Sequence, residues 1–472
     1  MENFPLYLGG EFVTSAETIS VSNPYSGKLI ATASKAAIPE LDLAIIRAKN
    51  SEQKMKKMPS WQKYQILMQI ADGIKSKHDD FTRLLASEAA KPWKYASAEV
   101  DRAIAVFIAA AEEAKRLPKE YIDIEWTAAG QGREGFVRYF PIGVVAGITP
   151  FNFPLNLAVH KIAPAIAAGC PIILKPSSST PLSMLALAGI INETDLPKGA
   201  VSILPMDRIT GYKLVTDESI KMITFTGSPA VGWEMKSRAG KKRVALELGG
   251  NAGVIVTPTA DIEYVVSRCL MGAFSYSGQV CIHAQRIFVH ENLIDEFTSL
   301  FKQKTLQLIV GDPLDPATDI SAMIDEKNAI RVENWIKEAV EAGAKLICGG
   351  ERSGSIIYPA ILTDTKPEMK VNSCEVFGPV VTIVPYTYFD DALKMLNNSD
   401  FGLQAGVFTN QIDEMNKAFF ELEVGGVIIN DVPTFRVDHM PYGGVKDSGF
   451  GREGIKYAIM EMMEPRLLVK NY

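Results

Sequence analysis

The apolar positions along the chain change rhythm three times, and each change predicts a different kind of element. The first 20 or so residues alternate like a short hairpin, and Asn23-Pro24-Tyr25-Ser26-Gly27 supplies a turn. From Ile38 to Leu117 apolar residues recur at three- and four-residue spacing in Ala/Glu/Lys/Leu-rich segments, which predicts helices. Residues 118–140 become extended and polar, with glycines at 130, 132 and 135, an excursion suited to pairing with another subunit.

From Gly143 the rhythm is strand, turn, helix. GVVAGITP, CPIILKP, VSILPM, KMITFTG and RVALELGG are short apolar runs, the pattern of strands buried on both faces. NLAVHKIAPAIAAG reads as a helix closed by glycine, and SSSTPLSMLALAGIIN as a helix opened by Ser/Thr capping. After Gly249-Gly250 a second series begins with AGVIVTP and runs through RIFVH, AKLICGG, VVTIVPY and GVIIND. The expected fold class is α/β, with mostly parallel sheets covered by helices and a lobe boundary near residue 247.

Composition narrows the function classes. At 472 residues the chain exceeds one ordinary core and suits two large lobes. The net charge is −6 and the 49 Lys and Arg residues are dispersed, so there is no electrostatic footprint for nucleic acid. No run of about 18 apolar residues predicts a membrane span. MENFPLYLGGEFV lacks the basic-then-apolar order of a signal peptide. The five cysteines (Cys170, Cys269, Cys281, Cys348, Cys374) are scattered and include no C-x-x-C pair. Neither a disulfide framework nor a metal site is indicated, and a reducing cytoplasm is expected.

Several residues carry candidate chemistry, each with a bland alternative. Gly449-Phe450-Gly451-Arg452-Glu453-Gly454 matches the dinucleotide fingerprint G-x-G-x-x-G, but the loop-like PYGGVKDS precedes it where a strand is required. Those glycines read as turn and C-cap positions. Cys281 follows a Gly278-Gln279 turn, where a thiol can meet a substrate; most intracellular cysteines are inert small hydrophobes. Glu247 ends an apolar strand before a glycine turn, a setting that raises a carboxyl pKa and suits a general base, although a strand-end acid can equally face solvent. Asn152 follows a buried strand, where its amide can donate to an oxyanion or cap the next helix. Lys175 sits where ligands of open α/β sheets bind, or snorkels to the surface. Gly227-Ser228 opens a helix whose free N–H groups attract phosphate.

Together and in this order, PFNFP, ILKPS, FTGSPAVG, LELGGN, GQVC, EVFGP and PYGGVKDSG resemble the aldehyde dehydrogenase superfamily. They lie within residues 147 to 454, and Glu247 and Cys281 are 34 positions apart, as is usual in that superfamily. The resemblance implies a Rossmann-like cofactor lobe without the glycine fingerprint (residues 1–117 and 139–246, with a return segment 439–457). It also implies an α/β catalytic lobe (247–438) and a small β oligomerisation arm (118–138 and 458–472) of a homodimer or homotetramer. The catalytic residues it implies are Cys281, Glu247, Asn152 and Lys175. NAD or NADP would rest on Thr149, Pro150, Phe151, Lys175, Ser177, Ser178, Gly227, Ser228, Leu248, Glu375 and Phe377. Ser178 stands where NAD-preferring relatives carry a glutamate, so NADP is expected to be accepted.

Arg102, His160 and Arg436 fall at positions that are commonly apolar or aromatic in the superfamily, which suits a short polar or anionic aldehyde if they converge. VPTFRVDHMPYGGVKDSG is similar to the lactaldehyde, glyceraldehyde-phosphate and phosphonoacetaldehyde branches, although Val280 replaces an arginine of several anion-binding relatives. Two alternatives stand beside this reading: a cysteine hydrolase pairing Cys281 with His283, and a non-catalytic protein on the same scaffold.

Overall fold

A computed structural model of the chain describes residues 2–472. The predicted helical region is four helices: Ile38–Lys57, Ser60–Ser76, His78–Ala89 and Trp93–Ala114. Pro59 and Pro92 stand at two of the breaks, where a residue with no N–H cannot continue a helix. The last of these helices buries Ala96, Val100, Ala103 and Phe107 at helical spacing, and the same face carries the fully buried Glu99. One oxygen of Glu99 accepts the N–H groups of Leu155 and Asn156, both at 3.0 Å, and so caps helix Pro154–Ala168 from outside. That helix ends at Gly169 in the left-handed region (φ 91°), as its glycine predicts.

The next helix, Leu182–Asn192, departs from expectation. No Ser/Thr side chain caps it; the buried Glu88 accepts the Leu182 and Ser183 N–H groups at 2.8 and 3.0 Å. A carboxylate from another helix replaces the local hydroxyls, a solution that sequence spacing cannot reveal.

Five parallel strands form the centre of an eight-stranded sheet, in the spatial order Arg243–Glu247, Ile220–Thr226, Val144–Ile148, Ile172–Lys175, Val201–Ile203. The N-terminal hairpin, Leu6–Tyr7 with Phe12–Val13, extends one edge, and Gly449–Phe450 pairs antiparallel with Leu246-Glu247 at the other. The fingerprint-like glycines therefore serve an edge strand and a turn. Gly454 is the N-cap of helix Ile455–Glu461 rather than a C-cap.

A seven-stranded sheet holds the second series, with Gly253–Val256 between Arg286–His290 and Gln404–Phe408. AKLICGG is not buried on both faces: Lys345–Cys348 is its antiparallel edge and is largely exposed. The excursion at 118–140 becomes strands Lys119–Asp123 and Arg133–Pro141, which form a third sheet with the chain's own final strand, Met463–Asn471. Among the described residues no helix is long and apolar enough to cross a membrane.

Candidate active site

The site begins where the first sheet reverses its winding. Val144–Ile148 and Ile220–Thr226 are neighbours, yet the chain leaves them toward opposite edges, and ligands of such sheets bind outside the carboxyl ends at that point. A cleft of about 380 Å³ opens there, lined by Thr149, Pro150, Lys175, Ser177, Ser178, Arg208, Gly227 and Ser228 among others. Its chemistry fits a nucleotide. Thr149 Oγ1 is buried without a partner. The Lys175 ammonium has no carboxylate within ion-pair distance among the described residues, and burial lowers its pKa. Pro229 occupies the first turn of helix Pro229–Arg238 directly after Ser228, leaving free N–H groups facing the cleft end.

A second cavity of about 500 Å³ adjoins the cleft and shares Pro150, Thr226, Gly227 and Ser228 with it. Cys281 lies in its wall. Helix Ile262–Phe274 ends just before, and the chain then passes through Tyr276 and Ser277, both left-handed (φ 48° and 53°). Such conformations cost on the order of 1–3 kcal/mol each and persist only under external hold. The hold comes from two distant segments, one at Ala89 and one at 321–324: Tyr276 Oη donates to Ala89 O at 2.9 Å, Ser277 Oγ to Ser321 O at 2.8 Å, and the Ile324 N–H to Gln279 Oε1 at 2.9 Å. Gly278 (φ 68°) packs on the Gly378 carbonyl where a Cβ would collide. The turn that presents the thiol is thus fixed by tertiary contacts.

Asn152 faces the same cavity. One Nδ2 proton goes to Gln279 O at 3.0 Å, while Oδ1 is buried and unpartnered. The amide has a second N–H, and it caps no helix. Glu247 ends strand Arg243–Glu247 and is 4% exposed, with Oε2 unpartnered. Burial, reinforced by nearby Glu453, holds its pKa well above the ordinary carboxyl value. Burial likewise pushes the Cys281 thiol up to about 11, opposed by a contact of 3.2 Å between Sγ and Tyr442 Oη. Glu375 accepts the Gly250 N–H at 3.0 Å and lies against Gly249 where any Cβ would collide; burial raises it to about 7.

The family follows from comparison with known proteins. The aldehyde dehydrogenase family model matches residues 12–468. The chain belongs to the aldehyde dehydrogenase family. A 3-sulfolactaldehyde dehydrogenase of Priestia megaterium is 44% identical, covering 100% of this chain and 98% of the relative. The crystal structure of aldehyde dehydrogenase 21 from Physcomitrella patens, in complex with the reaction product succinate, superposes with a TM-score of 0.98 at 42% identity, covering 100% and 98% of the two chains. That of a glyceraldehyde-3-phosphate dehydrogenase from Methanocaldococcus jannaschii, complexed with NADP, gives 0.93 at 39% identity over 97% and 100%. This chain is an NAD(P)-dependent aldehyde dehydrogenase.

Within this aldehyde dehydrogenase the two spaces divide the sequence-derived candidates. Cys281, Glu247, Asn152, Phe151, Leu248, Glu375 and Phe377 line the thiol cavity; Thr149, Lys175, Ser177 and Ser178 line the cleft alone. Arg102 and Arg436 both reach the thiol cavity, but His160 does not line it. His160 is fully enclosed beneath, its Nε2 at 2.8 Å from Asp438 Oδ1. Asp438 also takes a two-point contact from Arg102, at 2.6 and 3.2 Å. His160 thus supports the arginine's partner from a position that cannot touch a cavity ligand. His283 is buried with both ring nitrogens unpartnered, and burial lowers its pKa to about 4. It forms no pair with Cys281, whose sulfur meets Tyr442 instead.

Sequence reasoning missed Tyr442, Asn156, Arg331 and Thr434 in the cavity and Arg208 at the cleft rim. Only the PYGG segment pointed near Tyr442; nothing local marked the others.

Proposed function

We propose that the enzyme oxidises a short polar or anionic aldehyde to its carboxylic acid through a thiohemiacetal and a thioester on Cys281. The observation that carries the substrate class is a pair of guanidinium groups in the cavity wall. Arg436 is only 6% exposed, bonds Glu453 at 3.2 Å, and keeps Nε buried without a partner. A buried donor left unbonded is costly, and an anionic oxygen in the cavity removes that cost. Arg102 lines the same cavity, with its guanidinium oriented by Asp438. Succinate in the Physcomitrella structure and 3-sulfolactaldehyde in the Priestia name are both anions, which supports this reading.

The chemistry follows from the residues in place. The Cys281 thiolate attacks the aldehyde carbon, forming a C–S bond as the carbonyl electrons move to oxygen. The free Asn152 N–H and the Cys281 backbone N–H hold that oxyanion, each donor contributing on the order of 3 kcal/mol. A nicotinamide cofactor would be held by Thr149, Lys175, Gly227-Ser228 and Glu375 and, when bound, would accept the hydride that leaves the thiohemiacetal carbon to give the thioester. Glu247 then takes a proton from the water that adds to the thioester, and the C–S bond breaks to return the thiolate. Because Glu247 acts as a carboxylate and its pKa is raised, thioester release accelerates as pH rises through its titration.

Ser178 and the cationic Arg208 at the cleft rim support use of NADP at least as well as NAD. We assign the first sheet to cofactor binding, the second to the catalytic lobe, and the third, with Tyr121, Trp126, Leu467 and Leu468 exposed, to the arm of a homodimer or homotetramer. Five free cysteines suit a reducing cytoplasm.

The test is selectivity. Arg436→Ala is expected to lower kcat/KM for lactaldehyde-sized anionic aldehydes by about 100-fold or more, the loss of a buried charge-assisted contact, and to lower that for propanal far less. Equal losses for charged and neutral aldehydes would overturn the anion anchor.

A further inference from the structure

The hydroxyl of Tyr442 is placed as no structural tyrosine needs to be. The residue is 3% exposed, and its backbone is fixed on both sides, its N–H donating to Glu453 O at 3.0 Å and its carbonyl accepting from the Glu453 N–H at 2.6 Å. The Arg436 guanidinium sits over its ring, 3.7 Å from ring centre to Cζ. Among the described residues the only hydrogen-bond partner of its Oη is Cys281 Sγ at 3.2 Å. A buried phenol retains its O–H only where it finds an acceptor. The sulfur is the one acceptor in reach, and a thiolate accepts far better than a thiol.

We propose that Tyr442 is a catalytic residue whose O–H donates to the Cys281 sulfur and stabilises the thiolate that attacks the aldehyde. The step is an ionisation: the S–H bond breaks, its electron pair stays on sulfur, and the proton passes to solvent water. The other charged groups facing the sulfur are Arg436, which favours the thiolate, and Glu247 and Glu375, which oppose it. Of the groups facing the sulfur, the phenol and the guanidinium stacked on it are the two that favour the thiolate. The stack also ties the substrate's anion anchor to the nucleophile: the cation that draws in the aldehyde polarises the O–H that activates the sulfur.

This inference rests on Cys281 as the nucleophile of the proposed function, and its test is read without turnover. Iodoacetamide alkylation of Cys281, followed by peptide mass analysis in the absence of aldehyde and cofactor, gives the thiolate fraction as a function of pH. In Tyr442→Phe, which keeps the ring under Arg436, the rate at a given pH below the midpoint is expected to fall about tenfold, equivalent to an upward shift of about one pH unit. A second readout separates this from a packing defect: the kcat/KM deficit of Tyr442→Phe should narrow steadily as pH rises and the thiol ionises unaided. An alkylation profile that superposes on the wild type, or a deficit constant across pH, overturns the proposal. A shifted profile in an enzyme that oxidises no aldehyde would leave the inference standing and remove the proposed function instead.

Discussion

The two parallel sheets of the enzyme are wound alike and differ in what lies at their switch points. In the first, Val144–Ile148 and Ile220–Thr226 run into Thr149-Pro150 and Gly227-Ser228-Pro229, and a cleft stays open between them. In the second, Gly253–Val256 and Gln404–Phe408 occupy the corresponding positions, but their carboxyl ends are laced together. The Thr257 N–H bonds Phe408 O at 3.1 Å, the Asn410 side chain bonds Thr259 O at 2.7 Å, and the Thr409 N–H bonds Asn430 Oδ1 at 2.9 Å. One switch point keeps a buried hydroxyl, Thr149 Oγ1, without a partner; the other satisfies its threonines internally. Winding supplies a place for a ligand, and loop chemistry decides whether the place is filled by protein.

Changes at the first switch point and the cavity beside it should therefore alter function, and changes at the second should alter stability. The largest effect is expected for Cys281→Ala, with kcat falling on the order of 10⁶-fold, as for a lost serine-protease nucleophile. Fluorescence titration with NADP should show unchanged affinity, because the thiol lies outside the cleft. Retained turnover would remove Cys281 from the chemistry. Next comes Lys175→Met, expected to weaken NADP by about 10- to 100-fold through loss of a charged contact, with little change in kcat at saturation. The same titrations rank the cofactors, and a preference for NAD by two orders of magnitude would contradict the role given to Ser178. The smallest effect belongs to Asn410→Ala at the laced crevice. Loss of one loop-bridging hydrogen bond should lower the thermal midpoint by about 1 °C, with NADP affinity and kcat untouched. A cofactor-binding defect in that variant would break the contrast between the sheets.

The same contrast explains what the sequence made legible. The strands show themselves because burial on both faces requires unbroken apolar runs, and the cleft residues follow those runs directly: Thr149 after GVVAGI, Lys175 after CPIIL, Gly227 after KMITFT. Lys345–Cys348 is a strand, as its apolar letters predict, but an exposed antiparallel edge, because an edge strand can carry the same letters as a central one. The thiol cavity draws on residues from 95 to 442, and no local spacing encodes that convergence. Local position makes Cys281, Glu247 and Asn152 candidates, and only the resemblance to a family decides between chemistry and the bland alternative at each. Tyr442 remained invisible because its importance lies in a contact across 161 positions. His160 shows the converse error: on a helix buried along its whole length, one turn separates a cavity wall from the packing beneath it, and no periodicity marks which side faces the ligand.

The central claim is that one sulfur is acylated and that Glu247 releases it. The most direct measurement is rapid mixing of Glu247→Gln with oxidised cofactor and a good anionic aldehyde, followed by acid quench and intact mass. The expected result is a stoichiometric burst of reduced cofactor, then slow turnover, with the acyl mass localised to the Cys281 peptide. Steady turnover at the wild-type rate with no adduct at Cys281 would contradict it.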